Sequence, residues 1–159
     1  KSVTGSQFNF KVDTSAEGTY QFVLSVTKKG LQERLFTYSG KRTYSDAERE
    51  DRIRASAKKM TYANLPKTEN NGKAVVETGY LTGAEKKISE WVATLALTQT
   101  GSGTYKDIVY LICQEEPAFA IGSKIKVYGV ASGTFSEINE DGNIKSYPRI
   151  DVSIIDPAD

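Results

Sequence analysis

The chain contains no histidine and only one cysteine, and these absences argue against several classes of function. Without histidine there is no Ser–His or Cys–His nucleophile pair, and the common zinc sites lose a principal ligand. The single cysteine, Cys113, cannot form an internal disulfide, and its place in the apolar segment 108–113 predicts a buried, small apolar side chain. We therefore predict a protein that is not an enzyme and that has no metal site and no cofactor.

Long apolar runs are also absent, and none approaches the roughly 18–20 residues that a membrane-spanning helix needs. Of the 159 residues, 38% are hydrophobic and 26% are charged, which predicts a folded globular chain. The net charge of +1 is distributed unevenly, because residues 1–62 carry 12 basic and 7 acidic side chains and residues 63–159 carry 9 and 13. The acidic second part disfavours nucleic acid there, since affinity for phosphates comes largely from Lys and Arg.

Residues 1–44 are predicted to form a small antiparallel β-meander. Apolar and polar residues alternate over residues 7–13, 19–27 and 33–39, as in half-buried strands, and short turns join these segments. Because only about 40 residues supply its core, we expect the meander to have little stability of its own.

Residues 45–61 change to a helical period and predict a connecting helix. Ser45 and Glu48 have the spacing of a capping box, acidic residues cluster early, and basic residues cluster late. The basic end could contact nucleic acid or anionic lipid. A solvated helix that links two β modules accounts for the same pattern, and we favour this interpretation.

Residues 62–159 are predicted to form a domain of five strands. The predicted strands cover residues 74–82, 90–99, 105–113, 124–130 and 147–155. Five strands with glycine-rich bends and a long loop between the last two predict an OB-fold, a five-stranded Greek-key barrel, so the fold class is mainly β. The third strand is apolar on both faces, and we expect the meander or the helix to cover its outer face.

Three segments carry a resemblance to a known family. Residues 65–80 lead from a polar turn into a strand, residues 119–133 form a glycine-rich strand, and residues 148–150 read Pro-Arg-Ile. Over about residues 62–156 the chain resembles the tRNA-anticodon-binding-like OB domains of bacterial cell-surface and lipoprotein-like proteins. The resemblance is one of fold, and it identifies no ligand.

Four glycines belong to these segments and are predicted to have structural roles. Gly79 and Gly122 lie in the matching motifs, and Gly129 and Gly133 are predicted to lie where a strand bends to close the barrel. Ser123 departs from the pattern, because the family commonly has an acidic residue at that position. We expect this difference to alter only a turn.

The resemblance implies an extracytoplasmic bacterial protein that acts in protein–protein interaction or assembly at the cell surface. It also implies attachment to the membrane only through an N-terminal anchor that this chain does not include. Because the first residue is Lys1 and not Met, we expect that a signal peptide or lipidated N-terminus would already be missing.

The alternative ligand is a single-stranded nucleic acid or an oligosaccharide. OB-folds bind such ligands on the face of strands 2 and 3 and on loops 1–2 and 4–5. Aromatic side chains among basic ones could stack on bases or sugars there, or they could instead close the barrel ends beside solvated lysines. Acidic neighbours such as Glu85 and Glu137 dilute the positive charge. The candidate ligand-binding residues are Lys86, Lys87, Trp91, Phe135, Lys145, Tyr147 and Arg149.

A hydrolase that uses two carboxylates is a third and more distant hypothesis. The available acids all fall in predicted polar turns, where solvated carboxylates are expected. They are Glu115, Glu116, Glu137, Glu140 and Asp141. Residues 140–143 have the composition of a calcium loop, but they lack the spacing of an EF-hand, and we interpret them as a turn.

Overall fold

The computed structural model of the chain describes residues 16–26, 29, 32–101, 103–138 and 141–158. The chain divides into two compact units, of which the first ends at Glu48 and the second covers Arg49–Asp159. The described residues form a two-stranded antiparallel sheet, an α-helix and a closed five-stranded barrel, so the fold is mainly β, as predicted. In this part of the chain, no helix is long and apolar enough to cross a membrane.

The first unit contains a β-hairpin of strands β1 (Gly18–Val26) and β2 (Arg34–Arg42). The strands pair antiparallel, with Leu24 opposite Phe36. They confirm the second and third strands of the predicted meander, and β2 extends beyond its predicted end at residue 39. The predicted strand over residues 7–13 lies outside the described residues.

Helix α1 (Asp46–Ser56) begins with the predicted capping box. The amide of Glu48 donates to Ser45 Oγ at 3.2 Å, and the amide of Ser45 donates to Glu48 Oε2 at 2.9 Å. Two amides near the helix start, which have no partner within the helix, are therefore satisfied. The hydrogen bond from the Ser45 amide also lowers the pKa of the Glu48 carboxyl.

The second unit contains the barrel. Its strands are β3 (Ala74–Lys86), β4 (Trp91–Gln99), β5 (Tyr105–Cys113), β6 (Lys124–Ile138) and β7 (Ile144–Pro157). They close in the order β3-β4-β5-β7-β6, with β6 returning to β3, and only the β5–β7 pair is parallel. This is the strand arrangement of the predicted OB-fold.

All five predicted strands of the barrel are confirmed, but β3, β6 and β7 are longer than predicted. β3 and β4 pair out to Lys86 opposite Trp91, and β6 and β7 pair out to Ile138 opposite Ile144. We call these extensions the β3–β4 hairpin, residues 82–94, and the β6–β7 hairpin, residues 132–148. The predicted polar loop over residues 82–89 is therefore wrong over most of its length.

Alternating aliphatic side chains from all five strands fill the barrel interior, together with Leu65 from the segment before β3. The fully buried members with the largest side chains include Leu65, Leu81, Leu95, Leu111, Ile125 and Ile150. Cys113 is also buried in this core, as predicted, and burial raises the pKa of its thiol to about 11. The thiol therefore stays protonated at neutral pH and packs as a small apolar side chain.

Two of the four predicted structural glycines lie where strands approach too closely for a side chain. A Cβ on Gly79 would lie 2.3 Å from the carbonyl oxygen of Ala96, and one on Gly129 would lie 2.2 Å from that of Asp151. Gly122 and Gly133 have φ angles of 92° and 73°, which an L residue adopts only at a cost. Gly133 lies at the register shift where β6 continues into its hairpin.

The apolar outer face of β5 is covered by the β6–β7 hairpin. Tyr110 and Ile112 are buried on this face, and Phe135 and Tyr147 of the hairpin pack against them. The meander or the helix is the predicted cover, but the cover that the structure identifies belongs to the barrel unit. The difference arises because β6 and β7 continue past their predicted ends and reach this face.

The predicted helix end at residue 61 is wrong, because the chain leaves α1 after Ser56 and runs beside β3. The amide of Lys58 donates to the Ala74 carbonyl at 3.2 Å, and the Lys58 carbonyl accepts from the amide of Val76 at 3.2 Å. These bonds form a parallel bridge between Lys58 and Val75. Pairing with β3 thus replaces the last helical turns.

Glu77 is an acidic side chain at an inward position of β3, and it is only 1% exposed. Its Oε1 accepts the amide of Met60 at 2.8 Å, which attaches the segment after α1 to the barrel. Burial raises the pKa of this carboxyl, although the Met60 amide and the charge of Lys59 act in the opposite direction. The cost of burying the charged form therefore exceeds the gain from its partners.

Substitution of Gly129 by alanine should test the close approach of β6 and β7. We expect Gly129→Ala to lower the free energy of unfolding by at least about 2 kcal/mol, because the new methyl group overlaps a backbone oxygen. Urea denaturation followed by the fluorescence of Trp91 measures this loss. Gly40→Ala is the control, since a Cβ there meets nothing within 4 Å. Equal stability of the two variants would contradict the packing described for Gly129.

Substitution of Glu77 by glutamine should change the pH dependence of stability. The folded pKa lies above the unfolded value, so the folded state binds more protons between the two values and stability falls as the pH rises through that window. Glutamine keeps the acceptor for Met60 without the charge. We expect urea denaturation to show that Glu77→Gln gains stability relative to the unmodified protein as the pH rises above the ordinary pKa of a glutamate. Stability curves that run parallel over this pH range for the two proteins would contradict a raised pKa of Glu77 in the folded state.

Candidate functional site

A cleft of about 460 Å³ lies between the two hairpins, against the outer face of β4 and β5. We call it the hairpin cleft. The β3–β4 hairpin contributes Glu85 and Lys87, β5 contributes Tyr110, and the β6–β7 hairpin contributes Phe135 and Glu137. Strands β4 and β5 are the second and third of the barrel, so the cleft occupies the face that OB-folds use for ligands.

An aromatic cluster forms one side of the cleft. The ring of Phe135 stacks on Tyr110 with centroids 4.4 Å apart and planes at 9°, and the ring of Tyr147 lies 5.2 Å from Tyr110 at 43°. Phe135 therefore stacks on the Tyr110 ring, and Tyr147 packs against the same ring at a tilt. A base or sugar that stacked on Tyr110 would have to displace Phe135, at a cost of about 0.5–1.5 kcal/mol in ring–ring interaction beyond the area that is exposed.

A hydrogen bond links the aromatic cluster to the acidic side of the cleft. The Tyr110 hydroxyl donates to the carboxylate of Glu137. Burial, and then this acidic partner, raise the pKa of Tyr110 above its usual value, so the phenol remains a donor across the physiological range. The bond fixes β5 to the β6–β7 hairpin and orients Glu137.

The charged residues that line the cleft are two acids, Glu85 and Glu137, and one base, Lys87. Lys87 Nζ lies 2.6 Å from Glu85 Oε2, and Lys145 lies directly opposite Glu137 in the register of β6 and β7. Each lysine therefore has an acidic neighbour. The cleft has no cationic stripe of the kind that binds a phosphate backbone.

The structure brings together only part of the predicted ligand-binding set. Lys87 and Phe135 line the hairpin cleft, and Tyr147 belongs to the aromatic cluster behind it. Trp91 packs partly against the barrel core instead. Lys86 pairs with Trp91 across the β3–β4 hairpin, Lys145 lies opposite Glu137, and Arg149 forms an ion pair with Asp151 at 2.8 Å.

Two cleft residues were missed as members of the site. Tyr110 is the one residue in the apolar run of β5 whose hydroxyl needs a partner when it is buried, and this need is the signal that could have identified it. Glu137 is predicted only as an acid that weakens a cationic surface, whereas in the structure it is the acceptor for Tyr110.

Exposed isoleucines mark the ends of both hairpins. Ile88, next to Lys87, is fully exposed, and Ile138 and Ile144 face each other across the β6–β7 hairpin with 73% of each exposed. None of these isoleucines lines the cleft, but Ile88 follows the lining residue Lys87 and Ile138 follows the lining residue Glu137 in the chain. Large exposed apolar side chains near a mixed cleft are typical of a surface that contacts another protein.

A double-mutant cycle should measure the bond between Tyr110 and Glu137. We expect Tyr110→Phe to cost about 1 kcal/mol in the free energy of unfolding, and we expect most of that cost to vanish when Glu137→Met, which removes the acceptor, is already present. Urea denaturation supplies the four values. Tyr105→Phe is the control, because the Tyr105 hydroxyl has no hydrogen bond among the described residues. Additive losses for Tyr110→Phe and Glu137→Met would contradict the coupling.

Neither a metal site nor a match to a known protein identifies the function of this cleft. Among the described residues, no group of three His, Cys, Asp or Glu side chains lies together as a metal site would require. The chain matches no protein-family model and no curated protein sequence.

Proposed function

We propose that the barrel unit is a non-enzymatic interaction module that binds another protein through the hairpin cleft and the exposed isoleucines at the ends of the two hairpins. The observation that supports this proposal is the exposure of Ile88, Ile138 and Ile144 at the ends of the two hairpins that line one cleft. Full burial of an isoleucine contributes about 1.5–3 kcal/mol, so three of them form a sufficient apolar centre for an interface. The charged residues between them supply its polar contacts.

A single-stranded nucleic acid or an oligosaccharide is the second candidate ligand. The position of Lys87 and Phe135 on the OB-fold ligand face favours it. Against it stand the packing of Phe135 and Tyr147 on the ring of Tyr110 and the acidic partner of Lys87, the lysine that lines the cleft. The exposed isoleucines favour a protein partner, because aliphatic groups offer nothing to a phosphate.

The cellular location proposed for this module is extracytoplasmic, at the surface of a bacterium. This location is supported by the resemblance carried by residues 65–80 and 119–133. The role proposed for the module there is assembly at the cell surface. Cell fractionation with the gene product from its natural start provides the test. Protease-accessible protein in the membrane or surface fraction is the expected result, and protein confined to the cytoplasm would reject this part of the proposal.

The interaction proposal predicts that removal of the three isoleucines abolishes binding without unfolding the barrel. The test is affinity capture from extracts of the source cell, followed by calorimetry with the purified partner, for the unmodified chain and for Ile88→Ser/Ile138→Ser/Ile144→Ser. We expect affinity to fall at least tenfold, which corresponds to about 1.4 kcal/mol. Ile121→Ser is the matched control, because Ile121 is 59% exposed and lies before the start of β6, outside both hairpins.

Two outcomes would count against the proposal of a protein partner that binds at the hairpin cleft. Capture that is unchanged in the triple serine variant would remove the hairpin cleft as the contact surface. A salt-dependent change in Trp91 fluorescence during titration with single-stranded oligonucleotides would favour the second candidate, because release of counterions accompanies binding to phosphates.

A further inference from the structure

Among the described residues, the second half of β7 has a strand neighbour on one side only. β6 pairs with β7 along most of its length, whereas β5 pairs with it only from Tyr110 opposite Arg149 to Ile112 opposite Asp151. β5 then ends at Cys113. Within the described residues, no backbone hydrogen bond joins residues 152–155 to the chain that follows β5. We call Val152–Ile155 the β7 edge.

A cleft of about 390 Å³ lies beside this edge. It is lined by residues 113–119, which follow β5, and by the four residues of the β7 edge. Its volume falls within the range of about 300–1,000 Å³ that is usual for ligand sites. Phe119, Val152 and Ile155 are partly buried against the barrel core and give the cleft an apolar part. The cleft can therefore receive both the backbone and a side chain of an added segment.

The charged residues that line this cleft have one sign. Glu115 and Glu116 are exposed, and they are the only charged residues among those that line this cleft, all of which the structure describes. The buried Pro117 follows them directly and restricts the backbone of the segment that carries them. An occupant with positive charge is complementary to this rim.

We propose that the β7 edge binds an extended, basic peptide segment of a partner protein by strand addition. The peptide backbone bonds to the unpaired groups of Val152–Ile155, one of its apolar side chains enters the cleft beside Phe119, and its lysine or arginine side chains face Glu115 and Glu116. Main-chain hydrogen bonds supply affinity in this mode, and the pocket and the charges supply specificity.

A second copy of this chain is a poorer occupant than a peptide. Two β7 edges that paired would bring two Glu115–Glu116 rims together, and like charges at an interface are unfavourable. The register of β6 and β7 also shifts by one residue at Ser153, and such a bulge bends a strand away from a rigid neighbour. A flexible peptide can follow that bend.

The test uses an acetylated peptide of four Lys-Val repeats, added to the isotope-labelled full chain and followed by amide chemical shifts. We expect shifts at residues 152–155 and 114–119, at peptide concentrations up to roughly 1 mM. A Glu-Val peptide of the same length should bind at least tenfold more weakly. A Lys-Val peptide with N-methyl groups on alternate residues should not bind, because its donors are removed.

Charge reversal on the protein provides the matched variants. Glu115→Lys/Glu116→Lys should weaken the Lys-Val peptide at least tenfold and strengthen the Glu-Val peptide, whereas Glu69→Lys, at an exposed site outside this cleft, should change neither by more than about twofold. Absence of shifts at the β7 edge, or equal binding of the two peptides, would overturn the proposal. Concentration-dependent shifts at this edge without peptide would instead assign it to self-association and overturn it as well. Ile88, Ile138 and Ile144 do not line the cleft beside the β7 edge, so failure of one binding proposal would not contradict the other.

Discussion

Closure of the barrel depends on a short parallel pairing at the middle of β7. Residues Tyr110–Ile112 of β5 meet Arg149–Asp151 of β7, and no further pairs join these strands. Because β7 has 14 residues and β5 has 9, β7 continues past the contact in both directions. Its first part pairs with β6 in the hairpin that borders the hairpin cleft, and its second part leaves the β7 edge. Both proposed binding surfaces therefore follow from the limited length of one strand pairing.

The same pairing explains the aromatic cluster. β5 buries Leu111 in the barrel and Tyr110 and Ile112 outside it, so the strand needs apolar cover on two faces. The β6–β7 hairpin provides the outer cover with Phe135 and Tyr147. A buried tyrosine needs a hydrogen-bond partner, and Glu137 of the same hairpin accepts from it. The rings that form this cover also occupy the surface of Tyr110 on which a nucleic-acid base could stack.

The sequence predicts the strands better than it predicts their ends. Inside the barrel, one face of each strand is buried, and apolar alternation records that burial. At the hairpin ends, residues such as Lys86 and Ser136 are exposed and belong to a strand only through pairing with the neighbouring strand. Because neither face is buried there, the sequence has no apolar alternation that would predict the strand. The candidate site shows the same limit. Lys87 and Phe135 are predicted individually, but their meeting in one cleft depends on the registers of two hairpins that are distant in sequence.

The β6–β7 hairpin that borders the hairpin cleft and the β7 edge use opposite parts of β7, and this constrains what the module can do. Tyr147 of the aromatic cluster and Ser153 of the β7 edge are six residues apart, which is about 20 Å along an extended strand. Closure against β5 fixes the backbone between them, so the hairpin cleft and the β7 edge cannot move independently. Partners bound at both places would be held at one distance and one orientation. A fixed separation suits an assembly role, in which geometry matters more than catalytic chemistry, and it needs no conformational change in the barrel.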